Sequence, residues 1–141
     1  MTSNDLPSLI PELGCSDFKI SLAFYTQTLG FDIAYQRPEE GFAMLKRQGA
    51  YVMIDEIGIG RSWISGVMEK PYGRGINIQL ETTHVDELYA RVRDSGAHIF
   101  MPMEEKWYRR NDELLGNRQF IVQDPDGYLL RFCEDLGRKL A

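Results

Sequence analysis

The stretch QFIVQDPDGYLLRFCED, Gln119 to Asp135, sets two apolar runs on either side of Asp124-Pro125-Asp126-Gly127. A proline presets φ inside a turn and a glycine accepts the positive φ that a reversal needs, so the tetrapeptide folds the segment into a terminal β-hairpin. Side chains alternate across a strand, which places Arg131 on the opposite face from Leu130 and Phe132. What that face can hold is decided by a cation.

Upstream of the hairpin the chain reads as one pattern used twice. LIPELGC, from Leu9, is a short extended run; Ser16 or Asp17 offers an N-cap, and Phe18, Leu22, Tyr25 and Leu29 fall at helical spacing before Gly30. FDIAYQ, GFAMLK and AYVMID follow as extended pieces, with turns at Pro38 and Gly49, so the order is β-α-β-β-β. GINIQLE, from Gly75, starts the second copy, and Thr83 caps a helix with a stripe of Val85, Leu88, Tyr89 and Val92 before Gly96. Met101 to Gly116 reads as a longer irregular stretch, and NRQFIVQ and YLLRFCE are the closing strands. Gly30-Phe31-Asp32-Ile33 matches Gly96-Ala97-His98-Ile99 at an offset of 66, while Phe42 and Gly49 match Phe120 and Gly127 at 78. The difference of 12 marks an insertion in the second copy around Trp107-Tyr108. Module 1 then covers residues 8–55, a glycine-containing linker 56–74, and module 2 residues 75–135, within a single 1–141 domain of α+β class.

Composition narrows the function classes. With 141 residues, 43% of them hydrophobic, the chain can bury a core without staples. Cys15 and Cys133 form no CxxC pair and are too few for a disulfide framework, which fits a reduced, cytoplasmic setting. The N-terminal MTSNDLPSLIPEL has no basic region followed by an apolar one, and no apolar run approaches the roughly 20 residues of a membrane helix, so neither export nor a membrane partner is expected. A net charge of −5 argues against nucleic acid, whose binding rests on Lys and Arg neutralising phosphates. His84 and His98 lack a helical i+4 partner and read as surface or capping residues; no GxSxG elbow is present, and the glycines near GIGRSWISG follow no phosphate-loop spacing.

The duplicated βαβββ module, with SLAFYTQTLGF in the first copy and DPDGYLLRF closing the second, resembles the vicinal oxygen chelate superfamily, which includes glyoxalase I, extradiol dioxygenases and bleomycin resistance proteins. The resemblance implies two modules forming an open, curled mixed β-sheet cleft, often in a homodimer. It also implies that catalytic members hold a divalent metal on the first and last strands of each module. Here those places fall on Ile10, Met53 (or Ile54) in the first module and Asn77 and Arg131 in the second. None is a usual ligand for a hard or borderline cation, and a guanidinium repels a dication, so no metal, cofactor or catalytic residue is expected.

A cleft without a metal apparatus is similar to the bleomycin resistance branch, whose members sequester the antibiotic without altering it. That resemblance implies a small-molecule ligand of bleomycin type, with a flat tail and a cationic terminus suited to aromatic faces and nearby carboxylates. Candidate ligand-binding residues are Phe42, where the resemblance puts a stacking phenylalanine, Tyr51, Asp55, Trp63, Trp107, Tyr108 and Arg131. Alternation sets Tyr51, Met53 and Asp55 on one face with Glu12, Asn77, Gln79 and Arg131. Bleomycin binders carry a tryptophan where this chain has Gly116, and Trp107, Tyr108 or Trp63 would have to supply the missing aromatic face. The competing role of the aromatics is packing against a dimer partner, and that of Arg131 is a salt bridge to Glu12 or Asp55. The rival function is an enzyme of the same fold acting on a small metabolite.

Overall fold

A computed structural model of the chain describes residues 6–60 and 63–141; the first five residues of the N-terminal stretch, and Arg61 and Ser62 of the linker, lie outside the described residues. The chain divides into two compact units, Met1–Tyr72 and Gly73–Ala141. Each contains an open four-stranded mixed sheet. No helix among the described residues is long and apolar enough to cross a membrane.

The first unit runs β1 (Glu12–Cys15), α1 (Phe18–Ala23), a π-helical turn (Phe24–Thr28), β2 (Asp32–Arg37), a 3-10 turn (Pro38–Glu40), β3 (Phe42–Arg47) and β4 (Ala50–Glu56). The expected single helix up to Leu29 therefore changes pitch at Phe24, which carries Tyr25 and Leu29 fully into the core. The sheet order is β1-β4-β3-β2, with β1 parallel to β4 and the remaining pairs antiparallel. One face of the sheet packs on the helix through Leu13, Leu45, Val52 and Ile54. On the other, Phe42, Met44 and Tyr51 form a second buried cluster, joined by the partly buried Leu6, Ile10, Ala34 and Met53.

The second unit runs β5 (Asn77–Glu81), α2 (Val85–Asp94), β6 (His98–Arg110), β7 (Glu113–Gln123) and β8 (Leu129–Leu140), in sheet order β5-β8-β7-β6. Residues 101–116, expected to be irregular, instead extend β6 and β7 into a long hairpin closed by Asn111-Asp112, where Asn111 takes φ 57°. Asparagine tolerates that left-handed conformation better than most residues, which suits a two-residue strand reversal. The core packs Phe120 between Phe132 and the α2 residue Tyr89, at centroid distances of 5.7 and 5.0 Å.

One feature shows how the repeated sequence builds repeated structure, and the closing turn shows what the second unit adds. Glu56, at the end of β4, accepts a hydrogen bond from the Phe18 N–H at the start of α1 (2.8 Å), and Glu134, on β8, does the same for the Val85 N–H of α2 (2.8 Å). In both units a carboxylate on the last strand thus satisfies an orphan donor at a helix N-terminus. In the DPDG turn, Asp124 Oδ1 collects the N–H groups of Asp126, Gly127 and Tyr128 at 2.9 to 3.0 Å, and Gly127 adopts φ 112°.

Strand pairing also corrects one equivalence between the copies. Phe42 lies opposite Asp55, while Gln119 lies opposite Cys133, the residue that matches Asp55. The counterpart of Phe42 is therefore Gln119 and not Phe120, because the paired residues Gln119 and Cys133 are one position further apart in sequence than Phe42 and Asp55.

Candidate functional site

Each unit has its own pocket on the sheet face turned away from the helix. In the first unit it has a volume of about 310 Å³ and is lined by Glu12, Tyr35, Arg37, Glu40, Phe42, Met53, Asp55 and Trp63, with Gly60. The strand register explains the grouping: Met53 pairs with Glu12 on one side and Met44 on the other, and Asp55 pairs with Phe42, which itself pairs with Arg37. The Arg37 guanidinium carbon lies 4.1 Å from the centre of the Phe42 ring and 6.0 Å from that of Tyr35, while its Nε donates to Glu40 Oε2 at 2.7 Å. A planar cation thus covers an aromatic face and is tethered by a carboxylate. Burial holds the Asp55 carboxyl above its ordinary range. Glu12 is raised as well, by burial first and by the charge on Asp55 second, with Arg37 pulling the other way. Carboxyls strained in this direction gain from a cation that arrives beside them.

The pocket of the second unit is larger, about 590 Å³, and is lined by Gln79, Glu81, Tyr108, Arg110, Leu115, Asn117, Asp135, Gly137 and Arg138. Arg131 pairs with Gln79 in the register and donates through Nη2 to its Oε1 at 2.7 Å; a longer contact of 3.4 Å runs from Nη1 to Gln119 Oε1. Gln119 is 2% exposed and donates from Nε2 to Tyr108 Oη (2.7 Å) and Glu104 Oε2 (3.0 Å). Burial pushes the Cys133 thiol up, so it is not an activated thiolate.

Of the candidates read from sequence, the structure brings Phe42, Asp55 and Trp63 around one pocket, with Tyr51 in the buried cluster that backs Phe42. Tyr108 and Arg131 belong to the second unit's network. Trp107, next to Tyr108 on β6, lies on the opposite face of the sheet. Its ring covers Gly116, the residue across the strand pair, where an added Cβ would stand 2.6 Å from the ring; Lys139 Nζ sits 4.1 Å from the ring centre, and Nε1 donates to Glu105. Trp107 therefore packs over position 116 from the neighbouring strand, on the face away from Tyr108. Tyr35, Arg37 and Glu40 were missed, although Tyr35 and Arg37 are two apart on β2 and the Pro38–Glu40 turn returns Glu40 beside them. Gln119 was missed because it sits inside an apolar run.

The metal that the fold family implies does not suit the residues present. Ile10 precedes β1, Met53 lies beside Glu12, Asn77 pairs with Leu129, and Arg131 places a permanent cation at the fourth position. Among the described residues no group of three or more His, Cys, Asp or Glu side chains is arranged to hold a metal ion.

A family model described as the Glyoxalase/Bleomycin resistance protein/Dioxygenase superfamily matches residues 10–132. The chain belongs to that superfamily. Curated relatives include a bleomycin resistance protein of Geobacillus stearothermophilus and another of Staphylococcus aureus strain N315, each 29% identical over 136 residues and aligned over 90% of this chain and 96% of the relative. Among solved structures, TioX from Micromonospora sp. ML1 superposes with a TM-score of 0.68 at 25% identity, covering 92% of this chain and 99% of that one. A protein of unknown function from Agrobacterium tumefaciens strain C58 has the same fold, with a TM-score of 0.68 at 24% identity over 93% and 95% of the two chains.

Proposed function

We propose that this superfamily member is a stoichiometric binding protein that sequesters a bleomycin-type glycopeptide without modifying it. The observation that carries the reading is the first unit's pocket, where the Arg37 guanidinium already sits over the Phe42 ring and is held by the Glu40 carboxylate, with Glu12 and Asp55 lining the same space. A flat ligand ending in a positive charge would use the same aromatic face and the same carboxylates. Relatives named as bleomycin resistance proteins, aligned along nearly their whole length, support the choice of ligand. In this reading Phe42 and Tyr35 stack the planar tail, Glu12, Asp55 and Glu40 attract its terminus, and Trp63 closes the rim; the protein acts in the cytoplasm as a homodimer.

The test is a titration of the protein with bleomycin followed by tryptophan fluorescence, since Trp63 lines the pocket, with mass spectrometry of the recovered drug. Saturable quenching at a fixed ratio and an unchanged drug mass are expected. Flat fluorescence together with absent heat on calorimetric titration would remove the reading, and a mass change in the drug would replace it with an enzymatic one.

A further inference from the structure

The second unit carries a site of the opposite chemistry, and it stands independently of the ligand assigned to the first. Arg131 is partly buried on β8 and makes no ion pair among the described residues, in contrast to Arg37, Arg93, Arg110, Arg118 and Arg138. Its hydrogen-bond partners are the neutral amides of Gln79 and Gln119, and its Nε is buried with no partner among the described residues. A partly buried guanidinium braced only by amides, with its Nε out of reach of water, carries its charge without a counter-ion, an arrangement that an incoming anion relieves.

The direction of the hydrogen bonds identifies what the site lacks. Arginine has only donors, so Gln79 and Gln119 must both turn their carbonyl oxygens to Arg131. The Gln79 amide is then left presenting its NH2 group. Gln119 spends its own NH2 on the Glu104 carboxylate and on Tyr108 Oη, so the tyrosine oxygen already accepts and its O–H remains to donate. Gln79 and Tyr108 both line the 590 Å³ pocket. Guanidinium, amide NH2 and phenol O–H are all donors, and they need a ligand that presents acceptors.

The acidic groups nearby limit the shape of that ligand without cancelling the site. Glu104 is engaged by Gln119, and the Asp135 carboxylate accepts from Gly137 N at 2.8 Å. Glu81 lies two residues beyond Gln79 on β5, and at the far end of the pocket Arg110 and Arg138 are both paired with Glu113. A compact oxyanion beside Gln79 and Tyr108, with Arg131 behind Gln79, meets donors, whereas an extended polyanion would run into Glu81 and Asp135.

We infer that Arg131, Gln79 and Tyr108 form a binding site for a single small oxyanion, a carboxylate or a phosphate group, on the sheet face of the second unit. Carboxylate and phosphate share the geometry that a guanidinium recognises, so the experiment uses one probe of each: sodium benzoate and inorganic phosphate, with sodium chloride as the ionic-strength control.

The readout is the Arg131 Nε–H resonance in 15N–1H correlation spectra of the full chain, assigned by its loss in Arg131→Lys. The expected result is a saturable shift of this resonance, and of the Gln79 side-chain amide, with benzoate or phosphate but not with chloride; the tighter probe names the anion class. Arg131→Lys keeps the charge but loses the fork, and should weaken binding about tenfold or more, read from the Gln79 amide. Gln79→Met and Tyr108→Phe should each weaken it about threefold to tenfold while leaving the amide spectrum dispersed. A shift that chloride reproduces, a shift that does not saturate, or equal affinity in wild type and Arg131→Lys would each overturn the site. If Arg131→Lys does not fold, Tyr108→Phe decides alone, since it removes one donor and changes no charge.

Discussion

The two units share a framework and differ in the chemistry mounted on it. On the sheet face away from the helix, the first places Glu12, Phe42, Met53 and Asp55 where strand register places Gln79, Gln119, Arg131 and Cys133 in the second. One set is acidic and aromatic and has taken in a planar cation of its own; the other is made of amides around a cation that lacks a counter-charge. What is common to both lies elsewhere, in the carboxylates of Glu56 and Glu134 that hold the first N–H of each helix. The framework of a βαβββ module thus depends on residues at strand ends and on the helix face. The opposite face is free to change sign.

The most severe way to break this comparison is to give the first unit the residue that marks the second. Met53→Arg places a cation beside Glu12 and in the lining of the Phe42 pocket. Like-charge opposition across a binding surface costs several kcal/mol, so bleomycin affinity is expected to fall by about a hundredfold or more. Fluorescence titration of the variant checks this, and a loss below tenfold would mean that the cation binds somewhere other than the first unit's pocket.

Next in size is removal of the aromatic face. Phe42→Ala should weaken the same ligand by about 1–3 kcal/mol, as expected for a stacked anchor. Trp107→Ala is the paired control: its ring lies over Gly116, on the far side of the sheet from Tyr108. Affinity should stay unchanged in that variant, while thermal unfolding moves down by the loss of a packed ring and of the Lys139 contact. If Trp107→Ala weakened binding as much as Phe42→Ala, the contrast between the two faces would be lost.

How much of this was legible in the sequence follows from how local the governing interactions are. DPDG could be read because a turn is specified by its own four residues, and the first helix start because its cap is the single residue Asp17. The second helix instead starts at His84, in a left-handed conformation without a side-chain cap, and not at the expected Thr83. The extension of β6 and β7 was hidden because bulges between Ile99 and Glu104, with Pro102 inside them, interrupt the period-two alternation that identifies a strand. Phe42 could be named, but its counterpart could not, since a single extra residue between the paired positions of the second hairpin moves the matching position from Phe120 to Gln119. Trp107 and Tyr108 are neighbours in sequence and were grouped as candidates. Strand geometry separates them, and only Tyr108 shares a network with Arg131.

A smaller effect distinguishes the units by pH. Glu12 and Asp55 are raised above ordinary values of 4.5 and 3.8, and a bound cation favours their ionised forms. Cation affinity should therefore be full once the pH exceeds the raised values and fall as pH drops through them, beginning above the usual carboxylate range. Glu12→Gln should make that fall shallower by one proton. The stability of the free protein has the opposite sign: the folded state binds more protons than the unfolded chain in this window, so these two groups lose stabilisation as pH rises through it. Titrations between pH 4 and pH 8, with unfolding of wild type and Glu12→Gln at both ends, test the two signs together, and a pH-independent affinity would separate these carboxyls from the ligand.

The smallest expected effect bears on Arg37 itself. If its guanidinium occupies the place of a ligand cation, each binding event must first lift it from Phe42, and that contact costs about 0.5–1 kcal/mol to break at a half-exposed site. Arg37→Ala should then bind bleomycin about two- to fivefold more tightly, because the aromatic face is open and the Glu40 carboxylate is released to the ligand. Arg37→Lys should fall between the two, since an ammonium keeps the charge but lacks the planar guanidinium that stacks on aromatic rings. Were Arg37 instead a direct ligand contact, Arg37→Ala would weaken binding. The sign of one affinity change therefore tells whether the first unit's own arginine models the ligand or helps to hold it.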